Sequence, residues 1–534
     1  MNQTTASGKI GKYRWVVCTL LFFAITIDYL DRQAIGYLKP VLDKEFGWTE
    51  SNFSDIVIIA TLAYALTNLF AGWFIDKVGT KKGYAASLAT WSFFGIANAF
   101  GSTLPYFKVV RGLFGVGEGA NFPAAIKTTA QWFPKKERAL ATGIFNAGSN
   151  FGAMLCSIFV PMIAYSALGW RGAFIITGAV GLLWLIFWFW FYDTPDKQKR
   201  LSKEEYDYIH QDEAADNAAI AAALEAAKAE AAARGEEHVA KKVTWFTLLK
   251  YRQTWAYVTG KFMTDGIWWF YLFWLPAYMK SQFGMEGNAI SAPLFMLYGF
   301  AIVGSVSGGG FPTYFMNKGM EAYKARLTAM FIIACCPLFV LGTQYVSTYG
   351  YWFAVAAIGI GAAAHQAWSA NLFTTVSDMF PKKKIASVTG LGTMAGGMGG
   401  LLVFKSAGLL FDHFRNKGID AGWAKATALK DAHLSNYISQ IRALSSSNGL
   451  LDRHKSVINV ETIDIGRMSK EVIEHLQKID ASAFEQLKTI QHDTVGSQMT
   501  IAYGAMFGFC ALAYLIAWTI MKVLVPKHKP ITDL

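Results

Sequence analysis

The sequence predicts an all-α integral membrane protein of twelve transmembrane helices in two six-helix bundles, and three observations carry that reading. Of its 534 residues, 53% are hydrophobic and 16% charged, where an ordinary soluble chain carries about a quarter charged. Apolar runs of about 20 residues, enough to cross the ~30 Å hydrocarbon core of a bilayer, recur along the chain. The string Phe-Pro-Lys-Lys stands at 133–136 and again at 380–383, and Ala139, Thr142 and Gly143 recur as Ala386, Thr389 and Gly390 at the same offset of 247. A repeat of this length in one orientation marks two parallel halves, the plan of one large class of secondary carriers.

The spans fall at 14–38, 52–75, 83–104, 106–130, 139–167, 171–192, 254–279, 290–315, 327–346, 351–376, 385–411 and 499–523. Residues 1–192 thus form a first bundle, 193–250 a linker and 251–534 a second bundle. Basic residues gather in alternate short loops: Lys77, Lys81 and Lys82, then Lys135, Lys136 and Arg138, then Lys382 to Lys384. Lys9, Lys12, Lys527 and Lys529 share that side, so both termini are expected in the cytoplasm of an inner-membrane protein. The net charge of +12 is largely this topological signal rather than a sign of nucleic-acid binding. The first apolar run is interrupted by Asp31 and Arg32 and lacks a small-residue cleavage site, unlike a signal peptide. All five cysteines lie inside spans, leaving no disulfide framework for the outer loops.

Two connections are long. The linker carries an Ala/Glu/Lys-rich stretch at 213–234 that favours a soluble helix. Residues 412–496 separate spans eleven and twelve and by parity lie outside the cytoplasm. They hold 11 basic and 11 acidic residues, and Val472, Ile473, Leu476, Ile479, Phe484, Leu487 and Ile490 form an approximate helical stripe. A small helical cap over the outer mouth is expected there.

Charge inside spans costs about 2.5–3.5 kcal/mol per residue on insertion scales, so it points to function. Span one holds Asp28, Asp31 and Arg32, and span four holds Arg111 and Glu118 on one face two turns apart. An arginine suits a carboxylate, because its planar fork makes two charge-assisted hydrogen bonds and keeps its proton. A buried carboxyl suits a proton carrier, because desolvation and a nearby cation pull its charge in opposite directions. Span seven adds Lys261, Asp265, Trp268, Trp269, Tyr271 and Trp274, with aromatic faces fit to pack a sugar ring. Span ten carries His365, Gln366, Ser369 and Asn371, and span eleven sets Thr393 among glycines at four-residue spacing, a close-packing pattern. The turn after span two reads Gly72, Asp76, Lys77, Gly79, Lys81, Lys82: small Gly72 for close approach, Asp76 for a helix end, Gly79 for the tight turn.

That turn resembles the signature loop of the major facilitator superfamily. Within it the chain is most similar to the anion:cation symporter branch and its bacterial hexuronate (galacturonate and glucuronate) transporters. Asp28-Tyr29-Leu-Asp31-Arg32, Arg111 to Glu118 with Phe122-Pro123, Trp132 to Arg138, Trp268 to Pro276 and His365 to Asn371 carry the likeness. The resemblance implies that Asp31 and Glu118 handle protons, that Arg32 and Arg111 bind the anion, and that Tyr29 and Tyr64 line the cavity. It implies a proton-coupled importer of hexuronates working by alternating access, with sugar acid, protons and lipid as partners. No cofactor, metal, nucleic acid or enzymatic activity is expected, and a monomer is. An aldonate carrier is the alternative within the class, and a non-transporting sensor of sugar acids the alternative outside it. Ser149 and Thr393 stand where related carriers have amides, and the 412–496 insertion departs from the family pattern.

Overall fold

The computed structural model describes residues 11–48, 50–212, 225, 245–285, 289, 291–447, 464–465, 470–528 and 531, so most of the stretch at 213–234 lies outside the described residues. Helices α1 (Tyr13–Phe46), α2 (Glu50–Val78) and α3 (Thr80–Ala97) are followed by α4 (Leu104–Glu118), α5 (Asn121–Trp132), α6 (Lys135–Ala164) and α7 (Gly169–Phe191). After a short α8 (Lys203–Ile209), α9 (Arg252–Phe283), α10 (Ser291–Asn317), α11 (Ala322–Cys335) and α12 (Thr343–Val346) lead to α13 (Tyr351–Met379). Then come α14 (Ile385–Ala428), α15 (Ala432–Ser447), α16 (Lys470–Ile479) and α17 (Ala481–Leu524). Counting α4 with α5, and α11 with α12, as single crossings, the described helices make twelve passes, six in each half. Among the described residues, eight helices are long and apolar enough to cross a membrane by length and composition alone. The others include α9 and α13, which carry buried polar residues such as Lys261, Thr264, His365 and Asn371.

Three departures from regular helix have local causes. Span four is not one helix. It breaks at Gly119–Ala120, directly after Glu118, and Pro123 in the first turn of α5 cannot donate back to that turn. Span nine tightens at Pro337 into a 3-10 stretch, Cys336–Gly342. The repeat itself has one geometry in both halves: Phe133 (φ −125°, ψ 135°) and Phe380 (φ −116°, ψ 146°) are extended, as a residue before proline prefers.

Glycines close the face that bears the termini. A Cβ on Gly72 would lie 2.1 Å from the Ala386 carbonyl, and one on Gly390 2.2 Å from that of Asn68, so α2 and α14 touch backbone to backbone. Gly143 against Ser305 (2.2 Å) and Gly309 against Ala139 (2.4 Å) do the same for α6 and α10. Asp76 locks the first contact: its Oδ2 accepts from the Ser387 backbone N–H (2.8 Å) and hydroxyl (2.5 Å), while Oδ1 pairs with Lys127 at 2.9 Å. These donors sit in the first turn of α14, where a negative charge also meets the positive end of the helix dipole. Lys77 lies outside this lock, its ammonium 5.0 Å from the Trp73 ring. Gly79 makes its turn at φ 91°. The second half offers a weaker counterpart, Thr313 donating to the Lys136 carbonyl at 3.3 Å. Arg138 ties the halves again by donating to the Ser377 carbonyl at 2.9 Å.

Spans eleven and twelve run well past their expected ends. Helices α14 and α17 are 44 residues each, about 66 Å at 1.5 Å per residue. They stay paired beyond the apolar segment because Gly418 and Gly422 let α14 lie against Val495 and Thr494 of α17. With α15 and α16 they enclose a separate core of Trp423, Tyr437, Ile438, Leu476, Phe484 and Leu487. The stripe read from the sequence is therefore two helices, split at Asp480, whose Oδ1 accepts from the Ala483 N–H at 3.0 Å and caps α17.

Gly72→Val is expected to fold yet to transport at under about a tenth of the native rate, a barrier change of about 1.4 kcal/mol. Uptake per inserted molecule, with thermal melting as control, checks this; native-rate uptake would mean the α2–α14 contact is dispensable to the cycle.

Candidate functional site

Between the halves lies an open cavity of two joined lobes. The first lobe is lined by the parts of α1 and α2 far from the termini, including Gln33, Gly36, Phe53 and Val57, and so lies towards the opposite face. The second lies deeper, lined by Phe122, Asn146 and Ser149 from the first half and Lys261, Asp265, His365, Gln366, Ser369, Phe373, Thr393 and Gly397 from the second. Tyr29, Arg32, Tyr64, Trp268 and Trp269 line both lobes and mark the junction. Phe122 and Phe373 stack across the halves at 5.4 Å, with planes 15° apart.

Arg32 is the centre of the junction. Its Nε donates to Glu118 at 3.0 Å and its Nη2 lies 3.7 Å from Asp28, one turn earlier on α1. The Arg32 side chain keeps 19% exposure while those of Asp28 and Glu118 keep 0% and 4%. The cation is thus the most exposed of the three: Arg32 and Glu118 line the first lobe, and Asp28 lies buried behind them. The rings of Tyr29 (5.0 Å) and Tyr64 (4.4 Å) flank the guanidinium, each worth about 0.5–2 kcal/mol as a cation–π contact. Arg32 Nη2, buried on the Asp28 side, makes no hydrogen bond among the described residues.

The adjacent ions divide differently from what their spacing suggests. Arg111 lines the first lobe, but it donates to the backbone carbonyls of Arg32 (3.0 Å) and Asp31 (3.5 Å), with its guanidinium 4.4 Å from Phe114. Glu118, two turns along the same face, is taken by Arg32 instead. Asp31 points away from Arg32, as neighbours on a helix must, into a buried place beside Thr177 and Trp91. Its carboxyl reaches neither lobe.

In the second half, Trp268 stacks on His365 at 5.4 Å with planes 7° apart, and His365 Nδ1 shares a 2.8 Å hydrogen bond with the Tyr514 hydroxyl. Gln366 accepts from Asn146 across the halves at 2.7 Å, and the same amide reaches Ser305 at 3.1 Å. Thr393 lines the second lobe, its hydroxyl donating to the Thr389 carbonyl. Two expected residues stand elsewhere. Tyr271 is buried among Phe270, Leu275 and Ile358 beside Cys510, and Asn371 donates to the Gly308 and Ala367 carbonyls, holding α13 against α10. Sequence reasoning passed over Lys127 and Ser387, which complete the Asp76 lock, and Asn146, Phe122 and Phe373, which cross between halves. The alignment of the two halves held a hint, since Phe122 and Phe373 lie in equivalent helices.

The comparisons with known proteins agree with this architecture. The family model described as Major Facilitator Superfamily matches residues 21–404. The chain belongs to the major facilitator superfamily. It is thus a multi-pass membrane transporter and not an enzyme. The match ends before the paired extension of α14 and α17. Similar curated proteins include the "Hexuronate transporter" of Escherichia coli K12, 29% identical over 408 residues, covering 76% of this chain and 89% of that one. The "Galacturonate transporter" of Dickeya chrysanthemi is 32% identical over 311 residues, 58% of this chain and 84% of its own. The "D-galactonate transporter" of Escherichia coli O6:H1 is 27% identical over 413 residues, covering 76% and 90%. Among solved structures, the proton:xylose symporter XylE superposes with a TM-score of 0.57 at 14% identity over 73% of this chain and 87% of its own. That likeness speaks to the fold alone.

Removing the cation while keeping both acids should be costly. Arg32→Met is expected to lower stability by about 3–5 kcal/mol by leaving Asp28 and Glu118 uncompensated. Adding Asp28→Asn and Glu118→Gln to it should recover most of the loss in thermal melting of purified protein. Equal losses in the single and triple variants would show that the three charges do not hold one another.

Proposed function

We propose that the protein is a proton-coupled symporter that imports sugar acids of the hexuronate class across an inner membrane, with both termini cytoplasmic. The observation that carries this is Arg32, a permanently charged fork at the junction of the cavity, paired with Glu118 in the cavity wall and with the buried Asp28. An incoming carboxylate competes with Glu118 and Asp28 for the guanidinium. Each acid that loses its hold on Arg32 gains reason to take a proton, which ties anion binding to proton uptake. Trp268, Trp269, Tyr29 and Tyr64 offer ring faces for the pyranose, and Gln366, Asn146 and His365 offer polar atoms for its hydroxyls. With the terminal face closed through Asp76 and the glycine contacts, the cavity is the outward-facing state of a carrier that rocks its two bundles about a central site. The similarity to transporters named for hexuronate and galacturonate supports the substrate class. The galactonate relative favours a second reading, an open-chain aldonate at the same site.

The deciding experiment is uptake of labelled galacturonate into proteoliposomes with and without an inward proton gradient. Gradient-stimulated uptake, competed by glucuronate and not by neutral galactose, is expected; competition by galactonate alone would move the assignment to aldonates. Glu118→Gln is expected to keep substrate counterflow but to lose accumulation against a gradient. Retained accumulation would remove Glu118 from the coupling step.

A further inference from the structure

The Arg32 centre leaves one buried ion pair of the cavity without a task. On α9, Lys261 Nζ lies 2.6 Å from Asp265 Oδ2, one turn apart, and both line the second lobe. The two helices α1 and α9 open the two halves and run in the same direction. Each thus brings to one cavity an acid and a base at four-residue spacing, Asp28 with Arg32 and Lys261 with Asp265. The order is reversed, acid before base in α1 and base before acid in α9.

The reversal changes which charge solvent meets. In the first half the cation is the more exposed member. In the second the Asp265 side chain keeps 17% exposure against 5% for Lys261, so the carboxylate stands towards the cavity and the ammonium behind it. Lys261 rests 4.2 Å above the Phe373 ring, the same ring that stacks on Phe122 below the lobe. Asp265 fits a notch in α14: a Cβ on Gly396 would lie 2.1 Å from its Oδ2. The other titratable groups facing the pair are Tyr257 of α9, Tyr514 of α17 and His365 of α13, so Lys261 is the pair's single permanent cation among the described residues. A pair kept only to fill space would be replaceable by apolar side chains without the desolvation cost of two charges. A pair that opens has use for a carboxylate within reach of cavity water.

We infer that Lys261–Asp265 is a second substrate-responsive pair, in which Asp265 carries a proton of its own through the cycle, an inference that rests on the symport reading above. Lys261 turns from Asp265 to an anionic or hydroxyl oxygen of the bound sugar acid. Asp265 takes a proton from the cavity water, and both proton and substrate leave on the opposite side when the bundles rock. The balance is one proton gained and lost at one carboxylate, with Lys261 charged throughout.

The test measures the proton-to-galacturonate ratio from reversal of uptake in proteoliposomes, alongside substrate counterflow, for the native protein, Asp265→Asn and Lys261→Gln. For Asp265→Asn, counterflow within about threefold of native is expected, with the ratio lower by about one proton. For Lys261→Gln, half-saturation should rise by about tenfold or more. Should either single variant fail to fold, Lys261→Gln/Asp265→Asn removes both charges at similar volume, and the same drop in ratio is expected. An unchanged ratio in a folded Asp265→Asn or double variant overturns the inference and leaves the pair structural. A native protein without gradient-driven uptake would overturn the symport reading itself, which separates the two failures.

Discussion

A guanidinium in the middle of a membrane keeps its proton, so negative charge has to be brought to it. Arg32 meets that demand with Asp28 from its own helix and Glu118 from α4. Satisfying it fixes much else. Glu118 ends α4, the chain is interrupted at Gly119–Ala120, and α5 carries Phe122 against Phe373. Arg111, displaced from Glu118, fastens α4 to the backbone of α1 instead.

Closure of the terminal face obeys a different constraint, the distance between backbones. Four glycines let two helix pairs approach until any side chain would collide with a carbonyl. Contacts of that kind are bistable: a helix either seats or parts, with little between. Asp76 adds a directional element, since its Oδ2 is satisfied by the start of α14 while its Oδ1 is held by Lys127 in its own half. The extended ends of α14 and α17 lie at the other face and draw their core from the second half.

The parts legible in the sequence were those set by composition and local pattern. The two-half plan, the twelve passes and the Gly72–Asp76–Gly79 turn follow from apolar length, repeat and small-residue spacing. The polar face of α13 was legible only in part, because a run such as His365 to Asn371 wraps the helix. One side meets the cavity at His365 and Gln366, and the other packs on α10 at Asn371. Pairing between helices was not legible at all. Spacing along α4 put Arg111 with Glu118, whereas Arg32, 86 residues away in sequence, took the carboxylate. The far ends of α14 and α17 were missed for the opposite reason: amphipathic helix continues an apolar one with no break, and hydropathy sees only the apolar part.

Charge in and around the cavity bears on how an anion and a proton affect one another. Arg32, Arg111 and Lys261 are three cations, while Asp28, Asp31, Glu118 and Asp265 are four carboxyl groups within the same region. Fully ionised, the set is negative by one and repels a monoanion, and burial strengthens that repulsion by lowering the effective dielectric. One proton brings the set to neutrality, and a second makes it attractive. On the symport reading, proton and sugar acid each make the binding of the other more favourable, and loss of the proton on the other side restores the deficit that expels the substrate.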